Sequence, residues 1–452
     1  MRIHNERLSL IYVSLAMVTV GMLIAETGAS LDLLVRQLDL TAQQQGSIIS
    51  ARFLGGVAFG LFLWIRSTTI PLGRWFQGSL ILTVATAPLL LMDTYLSAYV
   101  AALLRGFTAG FVIPAAGMYA TSQGRWSVGM ISGVVNAALS GGLVLISVAA
   151  FAISQGSLAR WEIYWGMAPL VAGITLLIGY LGGSAISPSD RPGTEVVQVG
   201  TVHAETARTD ESKRTVAEGR SIDPGESAHR ETAPSGGSVS LLAGVRQLLA
   251  GTSAPFAIAA FFIVGTESIL FGLMPRLSAL LAAERALSSD SGWIWSTEQY
   301  ALAVMAGVFV GRVAGSFILR IVRPGAVLIA SVVLLLAFGA VWIFAPPALI
   351  ALSALGFGLA TANFFPALVG AVAVALGRGA PTTIAAMGWT GAGGGTLVPP
   401  IAALVLAAGL PYPLMGIAAP LPSTVAVVLS VAALHRSSTG RRDSGERDAP
   451  SG

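Results

Sequence analysis

Few residues of this chain have the means to do chemistry, and most of those stand in apolar surroundings. Glu267 lies in IVGTESILFG (263–272) with apolar sequence on either side, and Glu26 lies in a similar stretch. Arg52, Arg105, Arg276 and Arg312 are cations in stretches of the same kind, and Asn136 and Asn363 add uncharged donors and acceptors. A charge at the centre of a helix in lipid costs roughly 2.5–3.5 kcal/mol on insertion scales. Such residues usually face a bundle interior and mark a pathway or relay. Exclusion of water favours the neutral form of a carboxyl, so Glu267, the deepest acid, suits a proton carrier that crosses neutral and resists crossing when charged. The bland reading is a fixed salt bridge to Arg105, Arg52 or Arg312 that holds helices together. Glu26 offers the same two readings from a position nearer the outer surface. Arg105 suits either an anionic or hydroxylated substrate or a neighbouring acid.

Asn136 and Asn363 fit sugar hydroxyls or interhelical hydrogen bonds, and Trp389, beside a glycine run, fits the face of a sugar ring. Asp32 and Glu298 are expected near the outer surface, in water. Trp64, Trp75, Trp161 and Trp165 are expected as interfacial anchors.

The composition removes several alternatives. The chain has no cysteine, so no disulfide, iron–sulfur cluster or thiolate metal site can form. The four histidines, His4, His203, His229 and His435, all fall outside the apolar stretches, which excludes an intramembrane histidine relay or a His-ligated metal there. The single lysine is Lys213, and no P-loop pattern accompanies it, so ATP-driven transport by this chain is excluded. No nucleophile, histidine and acid can assemble in the spans. No enzyme activity, cofactor or nucleic-acid partner is expected; the partners implied are a small-molecule substrate, protons and the lipid bilayer, with the chain as a monomer.

These side chains must be positioned by helices in a membrane. Of 452 residues, 54% are hydrophobic and 11% charged, against about 25% charged in soluble domains. Twelve stretches approach the roughly 20 apolar residues that a span requires, from 8–33 through 76–94 and 253–281 to 413–434. The chain is therefore expected to be an all-α polytopic membrane protein. With the N-terminus in the cytoplasm, alternation puts 19 basic residues on that side and only Arg36, Arg160 and Arg285 outside, as the positive-inside rule requires. Both termini are then cytoplasmic, and the plasma membrane is the expected location.

Residues 1–183 and 241–435 make two six-span halves. Between them, 184–240 is too polar to offset the entropy of ordering and is expected as a disordered linker, with 436–452 a disordered tail. LLAGVRQLL (241–249) could lie at the membrane surface. The halves echo each other weakly: Glu26 precedes Arg36 as Glu267 precedes Arg276, and Gly60 precedes Arg66 as Gly315 precedes Arg320. Such similarity suits a transporter with its substrate held between halves near the midplane. The run GWTGAGGGTLVPP (388–400), five glycines and two prolines, is expected to be bent or unwound, either lining a cavity or packing closely.

With twelve spans as 6+6 and a cytoplasmic central loop, the chain resembles the major facilitator superfamily. LLRGFTAGFVIPAAG (103–117) is similar to that family's fourth-span pattern. VGTE (264–267), GRVAGSFILRIVRPG (311–325), GFGLATANFFPAL (356–368) and the span-eleven glycine run resemble the fucose permease-like branch of proton-coupled sugar symporters. In the loop after span two, GLFLWIRSTTIPLGR (60–74) keeps Gly60, Arg66, Gly73 and Arg74 but lacks the family's aspartate, and span four lacks the acid common in that branch. The resemblance implies the major facilitator fold, two pseudo-symmetric bundles of six helices. It also implies gating roles for Arg66 and Arg74, with Arg312 and Arg320 as candidates in the second half. The function implied is secondary active transport by alternating access, with proton-coupled uptake of a sugar-like solute leading. Proton-driven efflux or organic-anion exchange is the alternative within that class. A non-transporting receptor or scaffold on a transporter fold is the alternative from another class.

Overall fold

The computed structural model describes residues 2–66, 72–122, 128–154, 160–181, 253–288, 295–376 and 380–447. The linker 184–240 and the stretch 241–249 lie outside the described residues, as do 448–452 of the tail. Among the described residues there is no strand. The first half comprises α1 (Arg2–Leu38), α2 (Ala42–Arg66), α3 (Leu72–Ala85), α4 (Ala87–Leu90), α5 (Tyr95–Ser122), α6 (Val128–Ser154) and α7 (Trp161–Leu181). The second comprises α8 (Ala254–Gly272), α9 (Met274–Ser288), α10 (Thr297–Ile321), α11 (Pro324–Phe344), α12 (Pro347–Thr361), α13 (Phe364–Leu376), α14 (Ala380–Ala407), α15 (Met415–Ala418) and α16 (Pro420–Arg447). The helix α16 continues to Arg447, past 435, where the sequence was expected to lose order.

Among the described residues, eleven helical stretches are long and apolar enough to cross a membrane. The twelfth crossing is the pair α3 and α4, interrupted at Thr86 two residues before Pro88. Proline has no N–H to donate and its ring crowds the carbonyl four residues earlier. The same cause breaks the crossings α8–α9 ahead of Pro275 and α12–α13 ahead of Pro366. The tertiary structure uses these breaks, as described below.

Helix α14 departs from expectation. It is continuous from Ala380 to Ala407 through all five glycines, with Pro399 and Pro400 inside it. Four of the five glycines, all but Gly388, are consumed by packing on two sides. A Cβ on Gly394 would meet the Phe261 carbonyl oxygen at 1.8 Å, and one on Gly395 would meet the Phe53 ring at 2.3 Å. Close approach to α8 on one side and α2 on the other holds the helix regular, because contact between backbones is what helix association in lipid rests on.

The same device recurs at matching places in the two halves. Helix α2 crosses α5 where Gly106 abuts the Arg52 carbonyl, and α10 crosses α12 where Gly358 abuts the Val304 carbonyl. The halves meet along two seams, α2 against α14 and α6 against α10, with α1 touching α8 and α10 between them. Since twelve crossings alternate, both termini lie at one end of the bundle, and the other is called here the far end.

Candidate functional site

In the first half, Arg105 on α5 and Glu26 on α1 form a bidentate pair. Arg105 Nη1 donates to both carboxylate oxygens at 2.9 Å, and the side chains are 0% and 1% exposed. Arg105 Nε donates to Thr86 Oγ1 at 3.0 Å, at the break between α3 and α4, and Nη2 donates to the Trp165 carbonyl on α7 at 2.9 Å. Its guanidinium lies 5.1 Å from the Trp165 ring, whose Nε1 donates to Ser30 on α1. All three nitrogens of Arg105 are thereby committed within its own half. Removing one partner of such a buried pair costs about 3–5 kcal/mol, because a charge is left behind without compensation. Trp165 and Trp161 are wholly buried, which corrects their expected place at the membrane interface. Trp165 is needed beneath Arg105, and Trp161 Nε1 donates to Asp93 at 3.0 Å.

Arg52, on α2, is 4% exposed. Its Nη1 donates to the Leu23 and Ile24 carbonyls of α1 at 2.8 and 2.6 Å, and Nε has no hydrogen bond. The guanidinium lies 4.8 Å from the Phe53 ring, the ring that meets Gly395 across the seam.

In the second half, Gly265 packs on Val398 of α14 and Thr266 donates to the Ala419 carbonyl at 3.0 Å. These contacts fix the rotation of α8 and leave Glu267 partly exposed among buried neighbours. Among the described residues Glu267 has no hydrogen bond or ion pair. The charge acting on it is that of Arg312, on α10. Arg312 Nη1 also donates to Ser140 Oγ on α6 at 3.2 Å, across the seam. Asn136 is exposed one turn before Ser140 on the same face of α6.

The other expected residues are distributed. Asn363 sits at the α12–α13 break, where its Nδ2 donates to the Gly311 carbonyl at 2.9 Å. A Cβ on Gly315 would strike its Oδ1 at 1.8 Å. Asn363 thus ties α12–α13 to α10, as an interhelical hydrogen bond does. Trp389 packs on Ala257 and Ala386 and lies against Gly60 of α2, so it belongs to a seam between halves. Arg74 is exposed; Arg66 closes α2 and Arg320 stands one residue before the end of α10. These three are at the terminal end, away from Glu267.

Sequence reasoning missed a polar latch at the far end. Arg276 of α9 donates to Gln45 Oε1 of α2 at 2.6 Å, and its Nε stands 3.7 Å from Asp32 Oδ1 of α1. Asp32 also pairs with Arg36. Close by, a Cβ on Gly28 would come 1.8 Å from the Phe271 carbonyl oxygen. Residue 275 is proline and returns no hydrogen bond to that oxygen, which leaves it turned toward α1. The clue in the sequence was Arg276 directly after Pro275, opposite Asp32 in the other half. Glu298, expected in water, is 3% exposed. It lies in the first turn of α10, where the helix N-terminus favours a carboxylate. The far end is therefore closed by contacts between halves.

No family model matches the chain, and no curated protein sequence matches it. Solved structures do. The nucleoside transporter NupG aligns over 96% of this chain and 99% of its own, with a TM-score of 0.58 at 12% identity. The Escherichia coli fucose:proton symporter FucP aligns over 94% of this chain and 99% of its own, with a TM-score of 0.56 at 17% identity. Over nearly its whole length, then, this polytopic membrane chain has the fold of the major facilitator transporters.

Proposed function

We propose that the chain is a secondary active transporter that takes up a sugar-like solute by alternating access, coupled to protons through Glu267. The observation that carries this reading is the carboxylate of Glu267, partly exposed inside the bundle, without a hydrogen bond or ion pair among the described residues and within the field of Arg312. The other interior acid, Glu26, is already held by Arg105. Arg312, whose charge acts on Glu267 without a direct ion pair among the described residues, donates to Ser140 of the other half. Protonation of Glu267 removes one of those two attractions and leaves the bond across the seam. The charge state of a single carboxyl thereby biases how the halves are tied, which is the requirement for coupling an ion to a rocking motion.

The positive-inside distribution supports cytoplasmic termini in the plasma membrane, so the closed far end faces outward. A solute rich in hydroxyls is supported by the two structural neighbours, described as a nucleoside transporter and a fucose:proton symporter. In weakly buffered cells, substrate addition is expected to alkalinise the medium. Glu267→Gln is expected to abolish that signal while counterflow exchange in proteoliposomes continues. A Glu267→Gln protein that still concentrates substrate against its gradient would sink the assignment.

A further inference from the structure

Among the described residues of the first half two arginines are enclosed, and the fold uses them differently. Arg105 spends every nitrogen on protein acceptors. Arg52 spends only Nη1, on the Leu23 and Ile24 carbonyls. Its Nε is buried without a hydrogen bond, and no hydrogen bond of Nη2 occurs among the described residues. Nε–H and one Nη2–H lie along the same edge of the guanidinium plane, as two parallel donors. That edge matches the two oxygens of a carboxylate.

The charge is open as well as the geometry. The acid whose field reaches Arg52 is Glu26, and both Glu26 oxygens already accept from Arg105. Two guanidinium groups against one carboxylate leave a surplus positive charge on a side chain that is only 4% exposed. An enclosed charge without a counter-charge is strongly disfavoured, so the empty edge attracts an anion. It also stands beside the contact between the halves. Arg52 lies in the middle of α2, over Phe53, which touches Gly395 of the opposite half, and one turn from Ile49, which touches Gly272.

We propose that the Nε–Nη2 edge of Arg52 receives a carboxylate of the transported solute, so that the cargo is a hydroxylated monocarboxylate rather than a neutral sugar. This rests on the transport reading above and narrows its substrate class.

The test needs no variant at first. The purified full chain in nanodiscs is titrated with D-glucuronate, D-gluconate, D-galactonate and L-lactate, each beside its own amide, with D-glucose and sodium chloride as further arms. Thermal stabilisation is read first, then counterflow in proteoliposomes. At least one acid is expected to bind tenfold or more tightly than its amide. Arg52→Gln is expected to erase that ratio, and Arg52→Lys, which keeps the charge but not the fork, to recover only part of it. Equal binding of acid and amide, stabilisation by chloride alone to the same degree, or no binding of any acid overturns the proposal. If D-glucose exchanges while the acids do not, the carboxylate site falls and the transport reading stands; if no solute exchanges, both fall.

Discussion

Gly28 is where a single methyl group should change the conformation without unfolding the protein. A Cβ there lies 1.8 Å from the Phe271 carbonyl oxygen and 2.9 Å from its carbon, both backbone atoms that no rotamer can move aside. Carbon and carbonyl oxygen ordinarily approach to about 3.3 Å, so α1 and α8 must part by about 1.5 Å. If the halves move as rigid bodies, the 2.6 Å bond from Arg276 to Gln45 nearby stretches to about 4.1 Å, beyond hydrogen-bonding reach. A hydrogen bond to a charged group is worth about 1.5–3 kcal/mol net, which is roughly 10- to 150-fold in the ratio of open to closed far ends.

The chain has no cysteine, so one introduced thiol reports without background. Ile49 is wholly buried against Gly272. Its replacement Ile49→Cys should react with a membrane-impermeant maleimide, added from the far side, at least tenfold faster when Gly28→Ala is also present. Gly106→Ala is the control: its Cβ would be equally close, 1.8 Å, to the Arg52 carbonyl, but within one half. That variant should lower the melting temperature without speeding the labelling. An unchanged labelling rate in Gly28→Ala, or the same acceleration in Gly106→Ala, refutes the reasoning.

Two further outcomes are expected from the packing. Glu26→Gln should destabilise the protein by about 3–5 kcal/mol by stranding Arg105, and pairing it with Arg105→Met should recover much of the loss. Thermal melts in detergent check this, and a Glu26→Gln protein of full stability would show that the pair is not structural. Gly315→Ala should be destabilising by about 1–3 kcal/mol through its clash with Asn363. Asn363→Ala in the same chain should relieve that clash, so the double variant should melt above the sum of the singles, and strict additivity would contradict the contact.

The membrane class, the twelve crossings and the two-half plan were legible because they depend on the length and polarity of single segments, and lipid imposes both locally. Glu26 and Glu267 were legible as interior acids for the same reason. Their difference was not. Glu26 is paired because α5 and α7 carry Arg105 and Trp165 to it, and those residues are 79 and 139 positions away in sequence. The interfacial expectation for Trp161 and Trp165 failed because an indole at a span's end has the same sequence signature whether it meets headgroups or a buried guanidinium. The unwound segment expected at 388–400 failed because glycine content measures permission to bend, and here α2 and α8 remove the room to do so.

By itself, then, the sequence determined what lipid enforces locally: where helices run and which side chains are too costly to face hydrocarbon. Only the tertiary structure decided which of those costly groups cancel one another. It paired Glu26 with Arg105, left Glu267 within the field of Arg312, and left one edge of Arg52 open. Electrostatic compensation acts through space over a few ångströms, between helices whose separation along the chain carries no record of their contact.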